Sequence, residues 1–358
     1  MNDKSQVSSK VAKTELKSLQ ILRAVAALSV VYYHVTARPN FGSFGVDIFF
    51  VISGFVMAMI VTNGQSTFDF AMHRLARIVP LYWALTTFLL LIAWIEPDVL
   101  NSTTANFQNY AKSLFFIPYF KEDGSLRPLL AVGWTLNYEM FFYLSVWLSL
   151  LLAKRFFLQL SILLILAAHV YGGYFSDDRL VATFFHNPQV LEFVMGMLAF
   201  KLWERHVHLR ISTPVAIILA ISSYVFMAFA ETFNMRLNGL LVYGLPSLFL
   251  LLSMLNLEHL LTTNQNPAIR LCSHMGDASY ATYLSHFYVV ELVRKFGFQK
   301  YNIIDPYTPW GVAVIVLTSL LLGHLLYKLI DKPLTRYVKG RCALIRSAPL
   351  GAPLLHQD

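Results

Sequence analysis

Ten apolar stretches recur along this chain, at roughly 19–36, 44–62, 80–96, 134–153, 156–174, 188–203, 211–231, 237–256, 278–297 and 310–330. Most are long enough to cross a hydrocarbon layer about 30 Å thick; the sixth and ninth are short or polar. Within such a layer no water completes the hydrogen bonds of the backbone, so each stretch must satisfy its own amides, and a helix does so. The expected fold is all-α: a polytopic membrane protein, a bundle of about ten transmembrane helices. No internal repeat of 20–50 residues is visible, which excludes a solenoid.

Composition agrees with a bilayer and excludes other settings. Of 358 residues, 56% are hydrophobic and 13% charged, where a soluble domain carries about 25% charged residues. The net charge of +8 would suit nucleic acid, but the basic residues form short clusters between apolar runs. No basic stripe interleaved with aromatics is present, so nucleic acid is not expected as a partner. Cys272 and Cys342 are the two cysteines; their spacing suits neither a disulfide framework nor a metal site.

With the amino terminus inside, inner segments hold eighteen of the 28 basic residues and outer segments or helix ends hold nine. The positive-inside rule then sets the expected orientation: a multi-pass membrane protein with both termini cytoplasmic. Three regions are expected: a polar cytoplasmic tail over 1–17, a transmembrane domain over 18–335 and a basic cytoplasmic tail over 336–358. The apolar run after the first tail lacks a small-residue cleavage pattern and reads as a retained anchor. The longest outer loop, from about Pro97 to Gly133, is polar and placed to cover an entrance.

Chemistry is sought where ionisable residues interrupt the apolar runs, since each costs about 2.5–3.5 kcal/mol at mid-bilayer even on insertion scales. Arg23 and His34 both lie in the first stretch. Eleven residues apart, they fall within about 20° of one helix face and about 16 Å apart in depth. Asp47 enters the second stretch and Glu139 lies about a turn and a half after Trp134, so the topology brings three titratable groups toward the outer half. A carboxylate beside an imidazole holds its tautomer and raises its basicity, as a general base for a hydroxyl requires. Blander roles stand beside these: Asp47 as the complement of a helix dipole, and Glu139 with Tyr143 one turn on as a satisfied buried pair. Arg74 and Arg77, three apart before Pro80, share a face if that segment is helical, and two guanidinium forks suit a pyrophosphate as well as an inner-loop anchor. His286 and His324 are further intramembrane histidines, for which simple packing is the competing role.

The residues carrying these groups form seven blocks in order. They are 22–27 continuing to His34, then Gly45–Phe55 including Ser53, Arg74–Pro80 and Gly133–Tyr143. Phe193–Met197, Gly276–His286 and Asp331–Pro333 complete the set. Together they resemble the acyltransferase family 3 membrane proteins, which include O-acetyltransferases of O-antigen and exopolysaccharide. The wording of 137–143 is similar to the ExoZ-like exopolysaccharide branch. The resemblance covers nearly the whole chain after the first tail.

The resemblance implies an O-acyltransferase moving an acyl group, most simply acetyl, from acetyl-CoA or another acyl-CoA to a sugar hydroxyl of an exopolysaccharide or lipid-linked glycan. Acyl-CoA, the carbohydrate acceptor and membrane lipids are then the partners, with acyl-CoA a donor substrate and not a resident cofactor. It implies functional positions for Arg23, His34, Arg74, Arg77 and Glu139. Our reading assigns His34, Glu139 and Asp47 to catalysis, Arg23, Arg74 and Arg77 to the CoA moiety, and Tyr143, Ser53 and His286 to further possible site positions. Asp331 stands where many relatives carry a glutamate. With no appended extracytoplasmic hydrolase-like domain in the sequence, the membrane domain is expected to complete the transfer. His34 acts either as base or as a nucleophile that carries the acyl group. The residues taken without the resemblance also fit a transporter or flippase of lipid-linked sugars, and a scaffold role ranks third.

Overall fold

The computed structural model describes residues 16–36, 41–95, 106–205, 211–235, 237–264 and 266–347, with side chains to residue 344. Most of the expected 1–17 tail, the end of the 336–358 tail and residues 97–105 of the expected outer loop lie outside the described residues. The described part is helical and contains no strand, only an isolated bridge between Phe120 and Leu126.

In chain order the helices are α1 (Lys17–Val35), α2 (Gly45–Thr62), α3 (Thr67–Ile95), α4 (Phe107–Leu114), α5 (Trp134–Ala153), α6 (Phe157–Tyr174), α7 (Arg179–Phe185), α8 (Val190–Glu204), α9 (Thr213–Thr232), α10 (Leu245–Asn256), α11 (Glu258–Thr263), α12 (Pro267–Asp277), α13 (Ser279–Leu292), α14 (Pro309–Leu326) and α15 (Lys332–Ser347). π-helical segments Leu240–Gly244, Val293–Lys300 and Tyr327–Asp331 precede α10, extend α13 and link α14 to α15.

Among the described residues, six stretches are long and apolar enough to cross a membrane: Lys17–Val35, Gly45–Thr62, Thr67–Ile95, Ala131–Tyr174, Thr213–Thr232 and Pro309–Leu344. The expected ten is therefore not reached by length and hydropathy. One reason is that α5 and α6 form a single 44-residue stretch, broken by a 3₁₀ turn at Lys154–Phe156 and packed on each other as a hairpin. Another is that α8, with 15 residues, and α13, with 14, are too short on this criterion.

Helix ends that lack their own caps borrow carboxylates from distant segments. Leu16 gives α1 no side-chain cap, and Glu258 accepts the Lys17 and Ser18 amides at 2.9 and 2.8 Å. Ahead of α2, Glu231 accepts the Gly42 amide at 2.6 Å and the Ser43 amide at 3.2 Å. The first contact satisfies amides that the start of α1 leaves orphaned; the second holds the turn before α2, whose Gly42 and Ser43 carbonyls accept the Gly45 and Val46 amides. α3 makes its own cap from Ser66 and Asp69, so the helix begins well before Pro80 and carries Arg74 and Arg77 on its first turns.

α2 and α8 cross where Gly54 meets Gly196. A Cβ on Gly196 would stand 2.0 Å from the Val51 carbonyl oxygen, and one on Gly54 2.1 Å from that of Phe193. Two backbones in contact suit a bilayer, where dispersion at close range drives helix association. α1 lies against α2, α12, α13 and α14, which places Arg23 and His34 inside the bundle.

Candidate active site

A cavity with an empty volume of about 780 Å³ opens between α1, α2, α3, α5 and α13. Its polar lining is Arg23, Ser53, Arg74, Arg77, Thr135, Glu139, Tyr143, Tyr280 and Tyr283, set among Phe49, Phe50, Met57 and Ile78. Six of the nine candidate positions read from the sequence meet in this one space: Arg23, Ser53, Arg74, Arg77, Glu139 and Tyr143.

Three guanidiniums line the cavity with one carboxylate, Glu139, while a second, Asp331, holds Arg77 from outside the lining. Arg77 Nη1 holds Asp331 Oδ2 at 2.6 Å and lies 5.4 Å from the Tyr280 ring centroid, whose hydroxyl donates to the Ile78 carbonyl at 2.7 Å. Asp331 thus fixes Arg77. Arg74 lies 6.0 Å from the Tyr143 ring centroid and its Nε is buried without a hydrogen-bond partner among the described residues. Arg23 donates from Nε to Ser279 Oγ at 3.3 Å. Among the described residues neither Arg23 nor Arg74 has a carboxylate within 4.0 Å. Glu139 accepts from the Tyr143 hydroxyl and from Ser53 Oγ at 3.4 Å. The surplus positive charge can hold a multiply charged anion such as a phosphate or pyrophosphate, which guanidinium forks bind through paired hydrogen bonds. A second, apolar hollow of about 590 Å³ adjoins on the far side of Arg74 and Tyr143.

His34 is not part of that lining. Near the last turn of α1, half-buried, its Nδ1 lies 2.9 Å from the Val30 carbonyl oxygen and 3.3 Å from Nε2 of the fully buried His286. A carbonyl only accepts, so Nδ1 carries the proton and Nε2 keeps its lone pair. The two rings stand 4.9 Å apart. Arg294 Nη2 donates to the His34 carbonyl oxygen at 2.5 Å.

The expected carboxylate partner of His34 is therefore replaced by a carbonyl and a second imidazole. Glu139 is held by Tyr143 and Ser53 on the other side of Tyr283. Asp47, buried in the first turn of α2, faces α8: Gln189 Nε2 donates to it at 3.3 Å and Glu192 lies against it. The shared face expected for Arg23 and His34 does appear, since both reach α13, at Ser279 and His286. His324 is exposed on α14 and does not line the cavity.

Tyr283 separates the arginine cavity from the histidines. Its ring is 6.0 Å from Phe49, which lines the cavity, and 5.9 Å from His286. Its hydroxyl donates to the Val132 carbonyl at 2.9 Å, with Thr135 Oγ1 also at 2.9 Å. Neither Tyr280 nor Tyr283 was singled out from the sequence. The signal was available: Ser279, Tyr283 and His286 recur at helical spacing along one face.

Comparison with known proteins fits this arrangement. The model of an acyltransferase domain matches residues 16–328. Exopolysaccharide production protein ExoZ of Rhizobium meliloti is 32% identical over 84% of this chain and 92% of its own length. Putative peptidoglycan O-acetyltransferase YrhL of Bacillus subtilis is 23% identical over 89% of this chain and 55% of its own. Peptidoglycan O-acetyltransferase OatA of Listeria monocytogenes is 29% identical over 40% of this chain and 25% of its own. No solved structure matches. With a family match running from the start of α1 through the last apolar helix, and ExoZ aligned over nearly its full length, the chain belongs to the acyltransferase 3 family and is a membrane-embedded acyltransferase.

Proposed function

We propose that the protein transfers an acyl group, acetyl in the simplest case, from acyl-CoA to a sugar hydroxyl of an exopolysaccharide or lipid-linked glycan. The observation that carries this reading is the division of polar groups along α1: a cationic cavity at Arg23 and an imidazole pair at His34, joined through α13. Arg74, Arg77 and Arg23 hold the phosphates of CoA, entering from the cytoplasmic side of the inner membrane, with both termini on that side and the transmembrane domain spanning 18–335. The pantetheine arm passes Phe49 and Tyr283 toward His34. Nε2 of His34 takes the proton of the sugar hydroxyl as its oxygen attacks the thioester carbonyl, the C–S bond breaks, and the thiolate leaves with that proton. A positioned base contributes about 10²–10⁴-fold to such a step. His286 holds the His34 ring, and Glu139, held by Tyr143 and Ser53, balances the arginine charge beside the donor. The acceptor assignment draws on the exopolysaccharide and peptidoglycan named for the relatives.

The test is transfer of label from ¹⁴C-acetyl-CoA to glycan by the full chain in lipid nanodiscs, against His34→Ala at equal folded yield. Loss of transfer with retained acetyl-CoA binding supports the reading. Unchanged transfer by His34→Ala removes His34 from the chemistry. Glycan crossing the membrane with the thioester unconsumed replaces transfer by transport.

A further inference from the structure

The last described helix, α15, carries five basic residues and no acidic one. α14 and its π-helical link run from Pro309 to Asp331, about 30 Å of helix and enough to cross a hydrocarbon layer, so α15 starts at the membrane surface. Stepping about 100° per residue, its side chains fall into strips. Leu334, Thr335, Val338 and Cys342, buried or half-buried, form the inward strip of a helix that packs on α3. Tyr337 and Leu344, both 63% exposed, share an outward apolar strip two turns long. Arg336 and Arg341, also exposed, flank that strip on either side, and among the described residues no carboxylate lies within 4.0 Å of either.

Topology by the positive-inside rule asks only for basic charge on one side of the membrane. It does not ask for an exposed apolar strip set between two guanidiniums. Water leaves that strip unburied, and a surface without net charge gives the guanidiniums little to hold. A leaflet containing anionic phospholipid suits both, the tyrosine and leucine dipping below the headgroups while the arginines bind phosphate. The helix is also joined to the cavity. Asp331, the buried partner of Arg77 at 2.6 Å, immediately precedes α15, and Thr335 one turn on donates to its other oxygen, Oδ1, at 3.4 Å. A shift of α15 therefore moves the carboxylate that orients the Arg77 fork.

We propose that α15 is a docking surface for anionic phospholipid headgroups, and that its docking sets Arg77, through Asp331, in the position that binds the donor. This rests on the proposed role of Arg77 at the CoA phosphates. The sign of the effect separates such a device from bulk electrostatics: an anionic surface repels anionic CoA and would weaken its binding, whereas a docked α15 strengthens it. The coupling is reciprocal, so acetyl-CoA must tighten the lipid contact by the same factor.

The experiment uses the full chain in nanodiscs of phosphatidylcholine, alone or mixed with phosphatidylglycerol, and reads the Kd of ¹⁴C-acetyl-CoA and amide exchange across residues 336–344. Phosphatidylglycerol should lower the Kd at least about fivefold and slow exchange in α15, both effects shrinking as salt rises. Arg336→Gln combined with Arg341→Gln should lose both effects while binding acetyl-CoA in phosphatidylcholine as the wild type does. Lys154→Gln combined with Arg155→Gln, which removes equal charge from another exposed inner segment, should keep both. Asp331→Asn should keep the slowed exchange and lose the gain in Kd. An unchanged or raised Kd with phosphatidylglycerol in the wild type overturns the proposal, as does a gain that survives either the paired arginine substitution or Asp331→Asn. Acetyl-CoA bound in neither lipid would sink the donor reading of the cavity. The docking surface is then upheld by lipid-slowed exchange in the wild type alone, and overturned if the paired arginine variant exchanges in the same way.

Discussion

Replacing Gly196 by alanine adds one carbon where α2 and α8 touch, and the structure gives the size of the insult. The new Cβ would stand 2.0 Å from the Val51 carbonyl oxygen and 2.8 Å from the Phe55 amide nitrogen. Ordinary contact begins at 3.4 Å, so the helices must separate by about 1.4 Å, and the opposing atoms are backbone that no rotamer change can move. Overpacking of this kind costs about 1–3 kcal/mol, and we expect the upper end. Between the two contacts lies Ser53, whose 3.4 Å bond to Glu139 is already long; the displacement should break it. Gly196→Ala should therefore lower the unfolding temperature by several degrees and reduce acyl transfer, both read on detergent-solubilised protein by thermal scanning and label transfer. Gly340→Ala is the matched control: nothing lies within 4 Å of its added carbon, and alanine favours a helix over glycine by up to about 1 kcal/mol. If Gly196→Ala melted and transferred like wild type, or both variants were equally damaged, the close crossing would be refuted.

Arg74→Ala should raise the KM for acetyl-CoA about tenfold or more, with Arg74→Lys intermediate because a single ammonium cannot form a fork; initial rates against donor concentration check this. Arg77→Ala and Asp331→Ala should each destabilise the protein, and the double variant should cost about 1–3 kcal/mol less than their sum; a thermal double-mutant cycle measures it. Glu231→Gln keeps the shape but weakens the bonds to the Gly42 and Ser43 amides in the turn before α2, and should cost about 1–2 kcal/mol, seen as earlier amide exchange at Gly42 and Ser43.

Much of the cavity was legible because it depends on local spacing. Arg74 and Arg77 at i and i+3, and Glu139 and Tyr143 at i and i+4, share faces on any helix. What escaped depends on pairings across the chain. His34 meets His286 over 252 positions, and no periodicity links α1 to α13. Position along the chain puts Asp47 at the same bundle end as His34, but helix rotation turns it to Gln189. The third helix was started at residue 80 because hydropathy averages fall across His73, Arg74 and Arg77, whereas hydrogen bonding by Ser66 and Asp69 starts it at Thr67. Length and hydropathy reach six of the ten expected spans among the described residues, because a short buried helix such as α13 is shielded by protein and carries less apolar length than one facing lipid.

Tyr283 bears on a hazard that catalysis alone does not pose. If donor and acceptor reach the protein from opposite sides, the arginine cavity and the histidine pair stand at two ends of a potential hole through an energised membrane. A water thread between them would conduct protons whenever the protein stood empty. Tyr283 plugs that line with its ring, and its hydroxyl is tied to Val132 and Thr135 on a different segment. Parting two such bonds costs about 1–3 kcal/mol, so the empty protein stays shut for about 84% to more than 99% of the time, and opening becomes cheap only when an incoming substrate fills the gap. A cell carrying Tyr283→Ala should show this as a loss of membrane potential without any added substrate.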